Sequence, residues 1–222
     1  MITIDYDNEV YEMPSSLDEL TIDKYMEISM IETGSTYKID IIEILTGIPK
    51  EKIMRMKLNN LKTLIKSISF IHQENVPPLV NTFYLDGVRY GFNNNLNDIS
   101  VGEYIDLEEN SKDIKNSLHI LMAILYRPIK YKTKFSVAKI IEKYIYNKDV
   151  YKIKEYDDDG VMERAELFKE KLTMDKVIGA MFFFMILRMI YTKNTQKSMT
   201  LKEMEKETMN MMDMIGLNTG GH

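Results

Sequence analysis

The 222-residue chain has no cysteine, no tryptophan and only three histidines, His72, His119 and His222. The missing sulfur excludes disulfide frameworks, thiolate nucleophiles and thiolate zinc sites, and it fits a reducing compartment. With three scattered histidines, a metal site would rest almost wholly on carboxylates, so neither metal nor cofactor is expected. A basic excess is lacking too: 29 Lys and Arg stand against 34 Asp and Glu, a net charge of -5. A generic phosphate-tracking protein carries the opposite balance. The start MITIDYDNEV has no basic leader before an apolar run and reads as a first strand. The most apolar window, 177–191, is interrupted by Arg188 and falls short of the ~20 residues a bilayer span needs. It reads as a buried core helix, and no membrane contact is expected. None of the ten glycines forms a phosphate-cradling loop, and no Ser-His-Asp set has a spacing that argues for catalysis. A non-enzymatic, mainly helical soluble protein that packs against other subunits is the expectation.

What is present is a duplication, visible when positions 3–49 are laid on 82–128 without gaps. TIDYDNEVYEM carries two β-prone stretches around Asp7-Asn8, and TFYLDGVRYGF carries two around Asp86-Gly87, a strong two-residue hairpin turn. SSLDELTIDKYMEI then matches NNLNDISVGEYIDL, with Leu17 on Leu96, Leu20 on Ile99, Thr21 on Ser100 and Tyr25 on Tyr104. Thr21 and Ser100 precede apolar helical patterns and are placed to act as N-caps. KIDIIEILTGIP and SLHILMAILYRP follow, each a helix that should end by its proline, Pro49 or Pro128. Seven identities, at Thr3, Asp7, Tyr11, Leu17, Tyr25, Ile41 and Pro49, exceed the roughly three that ordinary residue usage gives. The coincidence of turn, cap, aromatic and proline makes a repeated hairpin–helix–helix unit the reading.

Between the copies, Leu58, Leu61, Leu64, Ile65, Ile68 and Ile71 have helical spacing, with Asn59 or Asn60 as the cap. Val76-Pro77-Pro78 forbids a continuing helix and sets the boundary. The organisation expected is 1–76 for the first unit with its following helices and 77–222 for the second with a C-terminal body, or one compact domain. All five prolines lie in the first 128 residues. The remainder shows helical periodicity over 136–146, 161–171, 173–191 and 200–215, with Thr173 and Thr200 as caps and Gly216 as a stop. The fold class is mainly α with small β-hairpins.

Three stretches invite a chemical reading. Asp157-Asp158-Asp159-Gly160 with Glu163 lacks the alternating ligands of a calcium loop and reads as a solvated turn. The segment 126–135 interleaves aromatics with Arg127, Lys130, Lys132 and Lys134. It is the candidate loop for facing DNA or an acidic partner. Near the C-terminus Leu201, Met204, Met211, Met212 and Ile215 form a stripe. Methionine is flexible and polarizable, so Met204, Met211, Met212 and Ile215 are the partner-interface candidates, against the alternative of plain core packing.

YEMPSSLDELTIDKYMEI and YGFNNNLNDISVGEYIDLEE, followed by ILMAILYRPIKYK, resemble proteins from the structural gene modules of tailed bacteriophages, including crAss-like phages. The resemblance covers roughly the first 135 residues and carries no catalytic signature. It implies a virion protein assembled in the host cytoplasm, a homo-oligomeric ring or connector subunit of the portal–neck–tail region among other phage structural proteins. The alternative it implies is a tail-assembly chaperone absent from the mature virion. Nucleic acid would be touched only if the protein lines a DNA channel.

Overall fold

The computed structural model describes residues 1–72, 76–93, 99–130 and 151–195. Met204, Met211, Met212, Ile215, Lys132 and Lys134, and the helices expected over 136–146 and 200–215, lie outside the described residues. The described fold is α+β and mainly helical, with two small antiparallel sheets.

The chain opens with strands β1 (Ile2–Tyr6) and β2 (Glu9–Met13). Asp7 and Asn8 join them at φ 55° and 62°, the left-handed pair whose twist matches the flanking strands. Helices α1 (Ile22–Ser29) and α2 (Tyr37–Thr46) follow, and α2 stops at Gly47, whose φ of 74° lets its N–H return to the Glu43 carbonyl. α3 (Lys50–Met54) and α4 (Leu58–Ser67) come next, then a 3-10 turn over Ile68–His72. The N-cap of α4 is Lys57, without a side-chain cap, so Asn59 and Asn60 lie inside the helix and Leu58 is 64% exposed at its start. That corrects the expected cap.

After the Pro77-Pro78 join, β3 (Thr82–Leu85), β4 (Val88–Phe92), α5 (Val101–Asn110) and α6 (Ile114–Leu125) repeat the opening plan. β2 and β4 begin at Glu9 and Val88, α1 and α5 at Ile22 and Val101, and α2 and α6 end at Thr46 and Leu125. Each is a displacement of 79 positions. Strand register repeats as well: Thr3 opposes Glu12 as Thr82 opposes Gly91, and Tyr6 opposes Glu9 as Leu85 opposes Val88. The second turn uses Asp86 and Gly87 at φ 47° and 77°. The duplication read from the sequence is therefore present in the backbone.

The second copy gains what the first lacks. Tyr126–Pro128, expected as part of a loop, is a strand, β5, paired antiparallel to β4 with Phe92 opposite Tyr126 and Tyr90 opposite Pro128. The Arg89 carbonyl accepts from the Ile129 N–H, and Ile129 bridges Ile153. Helices α7 (Asp158–Lys171) and α8 (Met174–Thr195) complete the described body. Asp157 is the N-cap residue of α7 and Asp158 and Asp159 occupy its first turn, so the acidic run is solvent-exposed as expected but opens a helix in place of a turn. Carboxylates there face the positive end of the helix dipole, which accounts for their clustering.

One cluster of buried apolar side chains draws on both copies and on the body: Ile22, Ile41 and Leu45, then Phe83, Phe92 and Leu121, then Phe168, Met174 and Val177. α6 crosses its middle, buried on nearly every side from Leu118 to Leu125. Phe83 meets Tyr126 edge-on at 4.9 Å and Phe168 meets Tyr90 at 5.0 Å, tying α7 to the second sheet. α8 presses Gly179 onto the proline join, where a β-carbon would stand 2.6 Å from the Pro78 carbonyl oxygen.

Candidate interaction surfaces

Each copy of the unit has two places where neighbouring polypeptide can add: the free edge of its second strand and the N-terminal face of its first helix. The two copies fill them differently. In the first copy the helix face is occupied. The Ile22 N–H donates to the Leu172 carbonyl at 3.0 Å, the Met174 N–H donates to the Leu20 carbonyl at 2.8 Å, and Thr21 bridges Thr173. The connection between α7 and α8 thus lies as a short antiparallel strand across the start of α1. It supplies the cap that the Thr21 side chain does not make. Ile22 is 0% and Tyr25 3% exposed, and α1 packs against α2, α6, α7 and α8.

In the second copy the same face is open. Val101, Tyr104 and Ile105, the counterparts of Ile22, Tyr25 and Met26, are 77%, 55% and 47% exposed. Here the cap is local: Ser100 Oγ accepts from the Glu103 N–H at 3.1 Å. Among the described residues no backbone group pairs with the Val101 N–H or the Ile99 carbonyl. The sequence placed both caps at the right positions but could not show that one is made by a side chain and the other by a distant strand.

At the strand edge the pattern reverses. β4 is completed by β5, while the counterpart edge of β2 has no strand beside it among the described residues. Val10 there is 68% exposed. The reason is local: Gly47 turns the chain into α3, whereas Tyr126, after α6, continues in extended conformation with φ -107° and ψ 119°.

β5 also answers where the basic segment goes. Arg127 points inward, its side chain 7% exposed, and its guanidinium meets Glu103 at 3.2 Å. The Asn93 amide donates to the same Glu103 oxygen at 2.8 Å, and the Tyr156 ring lies 6.0 Å from the guanidinium carbon. Burial lowers the Arg127 pKa, with the Glu103 charge and Tyr156 opposing. The Tyr156 phenol, which bonds Asp106, is pushed up mainly by burial and then by that bond. It stays protonated at neutral pH. Lys130 is half exposed and bonds Glu155 at 2.8 Å. These residues line a cleft of about 650 Å³ between β4, α5 and the 151–156 segment. Arg127 pairs with Glu103 and Lys130 with Glu155, while Lys152 and Lys154 also line the cleft and leave its lining with a basic excess; the Arg127–Glu103 pair ties β5 to the start of α5. Arg127 is thus largely buried and paired with Glu103, where the segment's pattern suggested a surface cation. The Arg127–Glu103 pairing was missed because the residues lie 24 positions apart and nothing in their spacing links them.

Among the described residues no group of three His, Asp or Glu is placed to hold a metal ion, and no helix is long and apolar enough to cross a membrane. Compared with protein-family models, curated proteins and solved structures, the chain finds no match.

Proposed function

We propose that the chain is a non-enzymatic structural subunit of a tailed-bacteriophage virion, present in several copies as a ring or connector of the portal–neck–tail region. The observation that carries this reading is the duplicated unit with complementary vacancies. Among the described residues, one copy has its helix face covered and no strand paired to its strand edge, and the other is the reverse. A unit whose exposed surfaces are backbone edges and an apolar helix face is built to add polypeptide, and an apolar patch rimmed by polar residues is how interaction sites present themselves. The resemblance of both copies to tailed-phage structural proteins supplies the setting.

Magnitudes favour an assembly contact larger than the α5 face alone. Burying the exposed parts of Val101, Tyr104 and Ile105 contributes about 3–5 kcal/mol, whereas association costs on the order of 4–15 kcal/mol in lost rigid-body freedom. A stable subunit contact must add main-chain hydrogen bonds or further apolar area to that patch.

Mass spectrometry of purified particles tests the reading. The account expects the protein in mature virions at a fixed multiple of the single-copy components. Its absence from them, together with recovery on a tail protein in infected-cell lysate, would assign it to the tail-assembly chaperones instead.

A further inference from the structure

The cleft between β4, α5 and the 151–156 segment holds more positive charge than its own carboxylates answer. Arg127 is the buried part of that charge. Its Nη2 meets Glu103, while its Nε is buried without a hydrogen-bond partner among the described residues. A charged donor left in that state costs more than one that is fully bonded. Burial also outweighs what Glu103 and Tyr156 return, since it lowers the Arg127 pKa against both. Glu103 has little more to give, because the oxygen that meets Arg127 also accepts from the Asn93 amide and the residue is 2% exposed.

The rim adds three lysines. The Lys130 N–H donates to the Lys152 carbonyl at 2.7 Å and the Lys154 N–H to the Pro128 carbonyl at 2.8 Å, on either side of the Ile129–Ile153 bridge. That register sets Lys130 directly opposite Lys152, and like charges directly opposite each other destabilise an antiparallel pair. Glu155 pairs with Lys130, but among the described residues no carboxylate pairs with Lys152 or Lys154. Ser100, the N-cap of α5, lines the same cleft, so the positive end of that helix adds to the field. The wall that carries the lysines is fixed. The Tyr151 ring lies against Gly91, where a β-carbon has no room, and its phenol donates to the Asn81 and Phe92 carbonyls at 3.0 and 2.8 Å.

We propose that this cleft binds the terminal phosphate group of a small molecule, with Arg127 at its floor and Lys152 and Lys154 at its mouth. A tetrahedral dianion supplies what the site lacks: acceptors for the guanidinium and countercharge between the opposed lysines. The volume of about 650 Å³ is that of a small-molecule site. A terminal phosphate fits better than the backbone of DNA, because the Arg127 side chain is only 7% exposed and a phosphodiester flanked by sugars on both sides stays at the mouth. The net charge of -5 also disfavours tracking along a nucleic acid. This inference goes beyond the ring-subunit reading and does not depend on it.

Isothermal titration calorimetry of the full chain at constant ionic strength tests it, with inorganic phosphate and adenosine monophosphate as probes and chloride as the balancing anion. Both probes are expected to bind saturably and to raise Tm as binding to the folded state requires. The Lys152→Ala/Lys154→Ala variant changes two exposed side chains. With an unchanged circular dichroism spectrum, it should weaken both constants about fivefold. In nuclear magnetic resonance spectra the Arg127 Nε–H signal should shift as phosphate is added. No saturable heat beyond that of chloride, an unaltered constant in the double variant, or an unmoved Arg127 signal would overturn the proposal. A DNA oligonucleotide without terminal phosphates that binds as tightly per site as adenosine monophosphate would also overturn it, by showing that the lysines follow a backbone and that the buried guanidinium is not used.

Discussion

Gly179→Ala is the sharpest test of how the two copies are held together. A β-carbon at this point of α8 would lie 2.6 Å from the Pro78 carbonyl oxygen, 2.9 Å from that of Pro77 and 2.9 Å from the Pro78 carbonyl carbon. All three are backbone atoms of the rigid join, so no side chain can swing aside and the helix itself must withdraw by roughly half an ångström or more. Overpacking of this kind costs about 1–3 kcal/mol, and the better helix propensity of alanine returns about 0.8–1 kcal/mol. The net expectation is a loss of up to about 2 kcal/mol, equivalent to a fall in Tm of up to about 8 °C for a chain of this size. Gly102→Ala is the control, since its β-carbon would meet nothing closer than Tyr156 Cε1 at 3.9 Å. That substitution should raise stability by about 0.5 kcal/mol. Thermal and urea unfolding followed by circular dichroism, at dilution, measure both. If Gly179→Ala stabilises as Gly102→Ala does, the close approach of α8 to the join is wrong.

Two further perturbations probe the Arg127–Glu103 pair and the core. Glu103→Gln or Arg127→Met leaves a buried charge without its partner and should cost about 3–5 kcal/mol, while the Glu103→Leu/Arg127→Met double variant should cost less than the sum of the single changes; additive losses in urea titrations would count against the pair. His119 is buried in α6 with Nδ1 unpartnered, and burial is the main cause holding its pKa below the usual imidazole value of 6.5. The folded state therefore binds fewer protons than the unfolded state just below pH 6.5. Its contribution to stability is complete above pH 6.5 and is lost as pH falls towards the folded-state pKa, so His119→Leu should flatten the Tm profile between pH 7 and 5; an unaltered slope would refute this.

Much of the fold was legible because its determinants are local. Asp7-Asn8 and Asp86-Gly87 specify their turns through φ alone, Gly47 and Pro49 stop α2, and the apolar spacing of 173–191 marks α8. The gapless match carried the repeat into the backbone because no insertion shifted strand or helix boundaries. What could not be read is everything decided by long-range pairing. Tyr126–Pro128 has a proline and flanking cations, the composition of a loop, and becomes a strand because β4 offers it an edge. Arg127 looked like a surface cation, but it lies inside, paired with a Glu103 that Asn93 also holds. The matched apolar residues Ile22 and Val101 are equally suited to burial, and their opposite exposure depends on which helix start receives the α7–α8 connection.

Hydrogen–deuterium exchange of the full chain at two concentrations tests most directly whether one copy is completed internally and the other by a neighbour. Residues 20–26 should be protected at both concentrations, and residues 99–105 should exchange quickly when dilute and become protected when concentrated. Equal protection of the two segments at dilution, or rapid exchange of 99–105 at every concentration, would contradict it.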